Sequence, residues 1–351
     1  MTLELPLVSI IIPCFNREKL IPLTLDSVLS QSIKNFEVII VDDGSNDNSL
    51  NIVREYANKD LRIRQLSRNR DPKGAPTCRN IGMVHAKGKY IIFLDSDDLL
   101  APFCLERRVD FMERNPDLDF AVFPGLRFKE DFYDTNLLIS SRIEGDPLPY
   151  FLSHEIPWGT LNVIWRKEKI LEKKLRWAED IKSFQDIQFH VDSICLGLSY
   201  SLAESEPDCF WREHLSGNIG KNLLSTTLTD SHISLHNHLF ESLKKSSNNS
   251  KNNMKRLNSF LYGYFKSYCF SGEIFPATKI LDYLYGGKFI SKSLKSILAI
   301  FLYSKKINQS NIIGKSYSKF ISGIYHFFIW PWIIFVEKNK IFLTTKHEKE
   351  G

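Results

Sequence analysis

Tyr90-Ile91-Ile92-Phe93-Leu94-Asp95-Ser96-Asp97-Asp98 is the stretch on which the fold turns. Its first five residues form a short, wholly apolar run, the pattern of a strand buried on both faces. The run ends on three carboxylates within four residues. Upstream the same grammar repeats. Leu7–Ile12 is a β-branched apolar run closed by Pro13, and Leu20, Leu23, Ser27 and Val28 then recur at helical spacing until Ser32. Phe36–Val41 is a second buried strand, broken by Asp42-Asp43-Gly44-Ser45. A helix through Ile52, Val53 and Tyr56 follows, with Asn46 or a neighbour at its cap. Leu61–Leu66 reads as a third, more exposed strand, and after the loop Asp71–Pro76 a helix carries Cys78–Ala86.

Strands alternating with helices imply an α/β fold with a parallel sheet covered on both faces. Right-handed crossovers bring the strand C-termini to one sheet edge, where ligands of open sheets bind. The unusual polar groups lie there: Asn16-Arg17 after the first strand, Asp42-Asp43 after the second, Asp95–Asp98 after the fourth.

Three crowded carboxylates raise one another's pKa unless a cation joins them. Mg²⁺ or Mn²⁺ bridging carboxylates to a diphosphate is the natural partner. The competing reading is an acidic first turn that caps a helix. Asp42-Asp43-Gly44-Ser45 taken alone is a tight turn. Beside the acidic cluster, an Asp there is also placed to accept from a nucleobase N–H or a ribose hydroxyl. No G-x-G-x-x-G follows the first strand, which speaks against a dinucleotide-binding dehydrogenase.

Four motifs stand in order within about a hundred residues. They are Val8-Ser9-Ile10-Ile11-Ile12-Pro13-Cys14-Phe15-Asn16-Arg17 with Val41-Asp42-Asp43-Gly44-Ser45-Asn46-Asp47; Cys78-Arg79-Asn80-Ile81-Gly82; Ala86-Lys87-Gly88-Lys89-Tyr90; and Phe93–Asp98. Together they resemble the N-terminus of family 2 glycosyltransferases. The resemblance implies the GT-A fold, a Rossmann-like, mixed but mainly parallel sheet flanked by helices that binds a nucleotide-sugar donor with a divalent metal, Mn²⁺ or Mg²⁺. Carried over by position, Pro13, Asn16, Arg17 and Ser96 lie in donor-binding motifs, and Asp43 with Asp42 faces the base. Asp95 meets the ribose or the metal, and Asp97 holds the metal. Arg79 lies near the diphosphate or supports the donor loop. Cys78 stands where the family often has Ala.

Ser183–Phe189 resembles the family's Glu-Asp segment, with Gln185 in place of Glu and Asp186 as general base; Glu179 and Asp180 are its neighbours and competitors. The implied reaction is hexosyl transfer with inversion by a single displacement. Trp211-Arg212-Glu213-His214 resembles an aromatic-Arg element, in which Arg212 or His214 contacts the leaving diphosphate or Arg212 makes a surface salt bridge. His154–Asn162 is the expected acceptor pocket, with Trp158 either stacked on a sugar or part of the core. The favoured donor is a UDP-sugar, and the acceptor a glycan or lipid-linked glycan of surface polysaccharide synthesis. The alternatives are a polyprenyl-phosphate sugar synthase, whose anionic acceptor needs no base, and a non-catalytic nucleotide-sugar binding protein.

The chain of 351 residues predicts a catalytic region over 1–220, divided into a nucleotide-sugar half (1–123) and an acceptor half (124–220), then a basic, mainly helical region over 221–351. A net charge of +5 is too small to argue for nucleic acid. Six scattered cysteines without metal spacing read as thiols of a reducing compartment. With no signal-peptide pattern at Met1–Pro6, the expected location is the cytoplasm, with the inner membrane face an option. Phe320–Val336, with Trp330-Pro331-Trp332, and the Lys-rich amphipathic run Lys288–Lys306 read either as helices packed on the catalytic region or as a peripheral membrane contact.

Overall fold

A computed structural model describes residues 5–130, 134–135, 137–139, 143, 145–213 and 228–307, with side chains to 302. The alternation read from the sequence is present. β1 (Val8–Cys14), α1 (Ile21–Leu29), β2 (Phe36–Asp42), α2 (Ser49–Lys59), β3 (Ile63–Ser67), α3 (Ala75–His85) and β4 (Tyr90–Phe93) follow one another. All residues of β1, β2 and β4 are buried, as their unbroken apolar runs require, while β3 is largely half-buried at the sheet edge. Within α1 the buried face is Ile21, Thr24, Leu25 and Val28; Leu23, read as part of the apolar stripe, is 48% exposed.

After β4 come β5 (Leu99–Leu100), α4 (Cys104–Arg114), β6 (Phe120–Val122), β7 (Gly125–Phe128), α5 (Leu148–Leu152), β8 (Val163–Arg166), α6 (Lys167–Glu172), α7 (Gln185–Cys195), β9 (Tyr200–Leu202) and β10 (Cys209–Arg212). The main sheet runs β3-β2-β1-β4-β8-β6-β9. It is parallel except at β8, which is antiparallel to both β4 and β6. A second sheet, β5-β10-β7, stands beside the acidic cluster. This is the GT-A architecture. The helix-cap reading of Asp95–Asp98 is corrected here: the cluster leads into β5, and the next helix begins only at Cys104 behind Phe103.

Two glycines of the quoted motifs set close approaches. A Cβ on Gly82 would lie 2.3 Å from Ile11 Cγ2, so its absence lets α3 press onto β1. A Cβ on Gly88 would lie 2.5 Å from the Ser9 backbone nitrogen, and the Gly88 N–H donates to Ser9 Oγ at 2.8 Å. Both glycines are therefore steric requirements of the first strand's neighbourhood.

The C-terminal helices α8 (Thr229–Lys245), α9 (Lys251–Ser271), α10 (Ile274–Gly286) and α11 (Lys292–Ile307) pack against the rest of the chain. Leu235, Leu239, Phe260 and Phe265 share one apolar cluster with Trp158, Ile187 and Phe189. In α11, Leu298, Phe301 and Leu302 are buried, so this part of the Lys-rich run packs inward. Among the described residues no helix is long and apolar enough to cross a membrane. Phe320–Val336 lies outside the described residues. No disulfide joins the six cysteines, and five of them are buried.

Candidate functional site

The C-terminal ends of β1, β2 and β4 converge, and side chains stitch their loops together. Asn16, with φ 51°, donates its N–H to Ser45 Oγ (3.0 Å) and accepts the Asn46 N–H on Oδ1 (2.9 Å). The Arg17 N–H donates to Ser49 Oγ at 2.7 Å. Pro13 is buried in β1 opposite Val41. Asp42 Oδ2 accepts the N–H groups of Gly44 and Ser45, which shapes the turn, and its Oδ1 is buried with no hydrogen-bond partner among the described residues. Asp43 Oδ1 accepts from Arg68 Nε (2.6 Å) and the Gly74 N–H (3.2 Å), tying the loop after β3 to the end of β2.

The acidic cluster is held from three sides. Arg79 Nη2 donates to Asp95 Oδ1 at 2.6 Å, and Arg17 Nε lies 3.3 Å from Asp97 Oδ2. From β10, the Arg212 N–H donates to Asp98 Oδ1 at 2.9 Å and its Nε donates to the Asp97 carbonyl at 2.9 Å. Ser96 is buried between the acids. Asp98 is also buried, and burial together with the charges of Asp97 and Asp95 pushes its carboxyl well above the usual carboxylate range.

Among the described residues no three His, Cys, Asp or Glu side chains converge in ligating geometry. The donor set therefore suits an ion that takes one or two carboxylates and fills its shell with diphosphate oxygens and water, as Mg²⁺ and Mn²⁺ do. Asp97 and Asp95 are the residues that would hold it.

α3 carries the link from this cluster to Asp186. Arg79 is buried, stacks over the Trp177 ring at 4.4 Å, and donates its second Nη to Gln185 Oε1 at 2.9 Å. Asn80 donates to the Trp177 carbonyl (2.8 Å) and Glu179 Oε1 (2.7 Å), and accepts the Trp177 N–H (3.1 Å). Gln188 clasps the same segment by accepting the Ala178 N–H at 2.8 Å. These bonds seat the start of α7, where Phe184 adopts φ 58° and Asp186 sits in the first turn. Ile187 and Val191 are buried, as the helix pattern requires.

Asp95, Asp98 and Asp186 line one cavity of about 670 Å³ with Gly159–Asn162, Arg127 and Trp211. Asp186 Oδ1 accepts the Ile187 N–H at 3.0 Å, and a Cβ on Gly159 would lie 4.0 Å from Asp186 Oδ2. Burial raises the Asp186 pKa above its ordinary value, Asp95 adds to the rise, and the Ile187 N–H and Arg79 oppose it. Its competitors are engaged elsewhere. Glu179 bonds Arg70 and Asn80, and Asp180 bonds Ser234 and His238.

Trp158 is fully buried against Phe151, so it belongs to the core and presents no face to a sugar. Trp211 and Arg212 lie on β10, and the Arg212 guanidinium bonds the carbonyls of Asp97 and Lys129 over the Phe128 ring, positioning the acidic loop. His214 lies outside the described residues. His154, Glu155 and Asn162, all within the segment His154–Asn162 singled out in the sequence, line the cavity, and Asn162 Oδ1 accepts the Gly159 N–H at 2.9 Å; the cavity-lining Phe260 and Tyr264 are residues the sequence reading missed. Phe260 and Tyr264 did carry a signal, their four-residue spacing on a helix.

The profile of glycosyl transferase family 2 matches residues 9–174. An uncharacterized glycosyltransferase, MJ1057, of Methanocaldococcus jannaschii is 31% identical over 208 residues, covering 58% of this chain and 69% of that protein. The chain belongs to glycosyltransferase family 2. A second relative, the poly(ribitol-phosphate) β-N-acetylglucosaminyltransferase TarP of Staphylococcus aureus, is 30% identical over 204 residues, covering 56% of this chain and 59% of TarP. The chain spans about half the length of other curated relatives, 45% and 56% in two uncharacterized glycosyltransferases. Among solved structures, S. aureus TarS 1–349 in complex with UDP-GlcNAc superposes with a TM-score of 0.62 at 18% identity, covering 89% of this chain and 92% of that one. That likeness speaks for the fold.

Proposed function

We propose that this family 2 member transfers a hexosyl group from a UDP-sugar to an acceptor hydroxyl of a glycan or lipid-linked glycan, with inversion. The observation that carries the reading is that Asp186 lines one cavity with Asp95 and Asp98, and that Arg79 bonds both Asp95 and the residue next to Asp186. The N-acetylglucosaminyltransferase name of TarP supports a hexosyl group, and the UDP-GlcNAc bound in the TarS complex supports a UDP-linked donor.

In this reading Asp42 and Asp43 meet the nucleoside, and Asp95 and Asp97 hold a divalent ion. The bound ion supplies charge neutralisation for the departing diphosphate. Asp186, its pKa raised by burial, accepts the proton of the acceptor hydroxyl as that oxygen attacks the anomeric carbon. Arg79 orients the first turn of α7 through its bond to Gln185. The reading extends to a role in surface polysaccharide synthesis at the cytoplasmic membrane face.

The test is a screen of UDP- and GDP-sugars for binding in the presence and absence of Mn²⁺, followed by turnover of Asp186→Asn. The expected result is metal-dependent UDP-sugar binding that the variant retains, with transfer reduced by about 10²–10⁴-fold. Normal transfer by Asp186→Asn removes the base and favours an anionic acceptor such as a polyprenyl phosphate. Donor binding without turnover by the unaltered protein favours a non-catalytic binding role.

A further inference from the structure

The far wall of the cavity comes from outside the family-matched region. Arg256, Phe260 and Tyr264 stand at four-residue spacing on α9, so they share one helix face. Phe260 and Tyr264 line the same cavity as Asp186, together with His154 and Glu155. The His154 ring lies flat on Phe260, with centroids 3.6 Å apart and planes 13° from parallel, and Phe184 meets His154 edge-on at 4.8 Å. Tyr264 continues the aromatic wall, 4.9 Å from Phe260.

Two features mark this wall as more than packing. His154 and Phe184 both hold positive φ, 59° and 58°. That is costly for bulky residues and persists where the surroundings impose it, commonly at binding sites. Both ring nitrogens of His154 are buried without a hydrogen-bond partner among the described residues. An orphaned buried polar group in a cavity wall is what a ligand hydroxyl would satisfy. Glu155 adds a carboxyl at the same wall. Its pKa is raised by burial, and Arg256 opposes the rise.

We infer that the wall formed by the Phe260–His154 stack and Tyr264, with Glu155 beside it, is the acceptor subsite and holds a sugar ring of the acceptor glycan. The apolar face of the ring lies on the aromatic wall, and its hydroxyls meet His154 and Glu155. Acceptor choice is thereby set jointly by the C-terminal helix α9 and the His154–Glu155 segment. This inference rests on Asp186 as the base and on a nucleotide-sugar donor at the acidic cluster.

The experiment compares the unaltered chain with Tyr264→Ala and Phe260→Leu, the second keeping most of the buried volume. Three quantities are read: UDP binding with Mn²⁺ by calorimetry, slow hydrolysis of the UDP-sugar by water, and transfer to p-nitrophenyl glucosides and N-acetylglucosaminides. UDP binding and hydrolysis are expected unchanged, while the acceptor KM rises about tenfold, the scale of one lost aromatic contact. An unchanged acceptor KM in both variants overturns the inference. So does loss of UDP binding in step with transfer, which marks α9 as support for the donor site. Failure of the unaltered chain to use any of these glycosides, with hydrolysis of the UDP-sugar inhibited by a short polyprenyl phosphate, overturns it in favour of a lipid chain on this wall. Absence of UDP-sugar binding by the unaltered chain instead brings down the donor reading on which the inference stands.

Discussion

Arg79 reaches Asp95 with one nitrogen, at 2.6 Å, and Gln185 with another, at 2.9 Å, so one buried guanidinium spans the end of β4 and the start of α7. A planar fork is needed to hold both partners, and a lysine ammonium offers no such geometry. Arg79→Lys is therefore expected to lower kcat by about tenfold or more, near 1.4 kcal/mol in the barrier. UDP binding should change little. Steady-state kinetics beside calorimetry check this, and an unchanged kcat removes the bridging role.

Asp186 makes a pH prediction. The base works ionised, and burial holds its pKa above the ordinary carboxylate value. The rate should therefore fall with decreasing pH through that raised pKa. Arg79 is among the groups that lower it, so Arg79→Gln should move the acid limb of the rate profile to higher pH. A profile whose acid limb stays in place in that variant contradicts the coupling.

The same raised pKa bears on stability. A folded-state pKa above the unfolded one means that ionised Asp186 costs stability at neutral pH, and that this cost fades as pH falls through the folded and then the unfolded pKa. Asp186→Asn is expected to be more stable than the parent at neutral pH, with the difference closing in acid. Denaturant titrations at neutral and acidic pH measure it. A less stable variant at neutral pH contradicts the sign.

The acidic cluster predicts coupled metal and nucleotide binding. Mn²⁺ added with UDP should stabilise the protein by about 2.7 kcal/mol at a hundredfold excess over Kd. Asp97→Ala should lose the Mn²⁺-dependent part of that shift and keep some of the UDP-dependent part. Thermal melts with each ligand alone and together distinguish the two. A full Mn²⁺ shift in the variant takes Asp97 out of the metal site.

Two core positions test the assignments that separate packing from chemistry. Trp158→Ala should cost about 3–5 kcal/mol of folding stability, as expected for a large buried aromatic. At Gly88, alanine would place a Cβ against the Ser9 backbone, which cannot swing aside, so Gly88→Ala should also destabilise. Urea unfolding checks both. A neutral Trp158→Ala would return this residue to the acceptor side.

The sequence by itself determined the N-terminal half of the sheet. Unbroken apolar runs make buried parallel strands, crossovers have one hand, and so Asn16, Asp43 and Asp95 had to meet at one edge. The order of four motifs then named the family. Those signals are local, and each can be read within a few residues. What only the tertiary structure decided depends on distant contacts. Asp98 leads into a strand because β10 and β7 build a second sheet beside it, and Arg212 anchors that loop from more than a hundred residues away. Trp158 is buried because helices from the C-terminal region close over its core, and those same helices bring Phe260 and Tyr264 to the cavity that Asp186 lines. No periodicity along the chain encodes which distant helix covers a cavity, because that choice is made by the packing of whole faces. The sheet edge at Asn16, Asp43 and Asp95 was therefore legible residue by residue, and the cavity wall of Phe260 and Tyr264 only after the chain had folded around it.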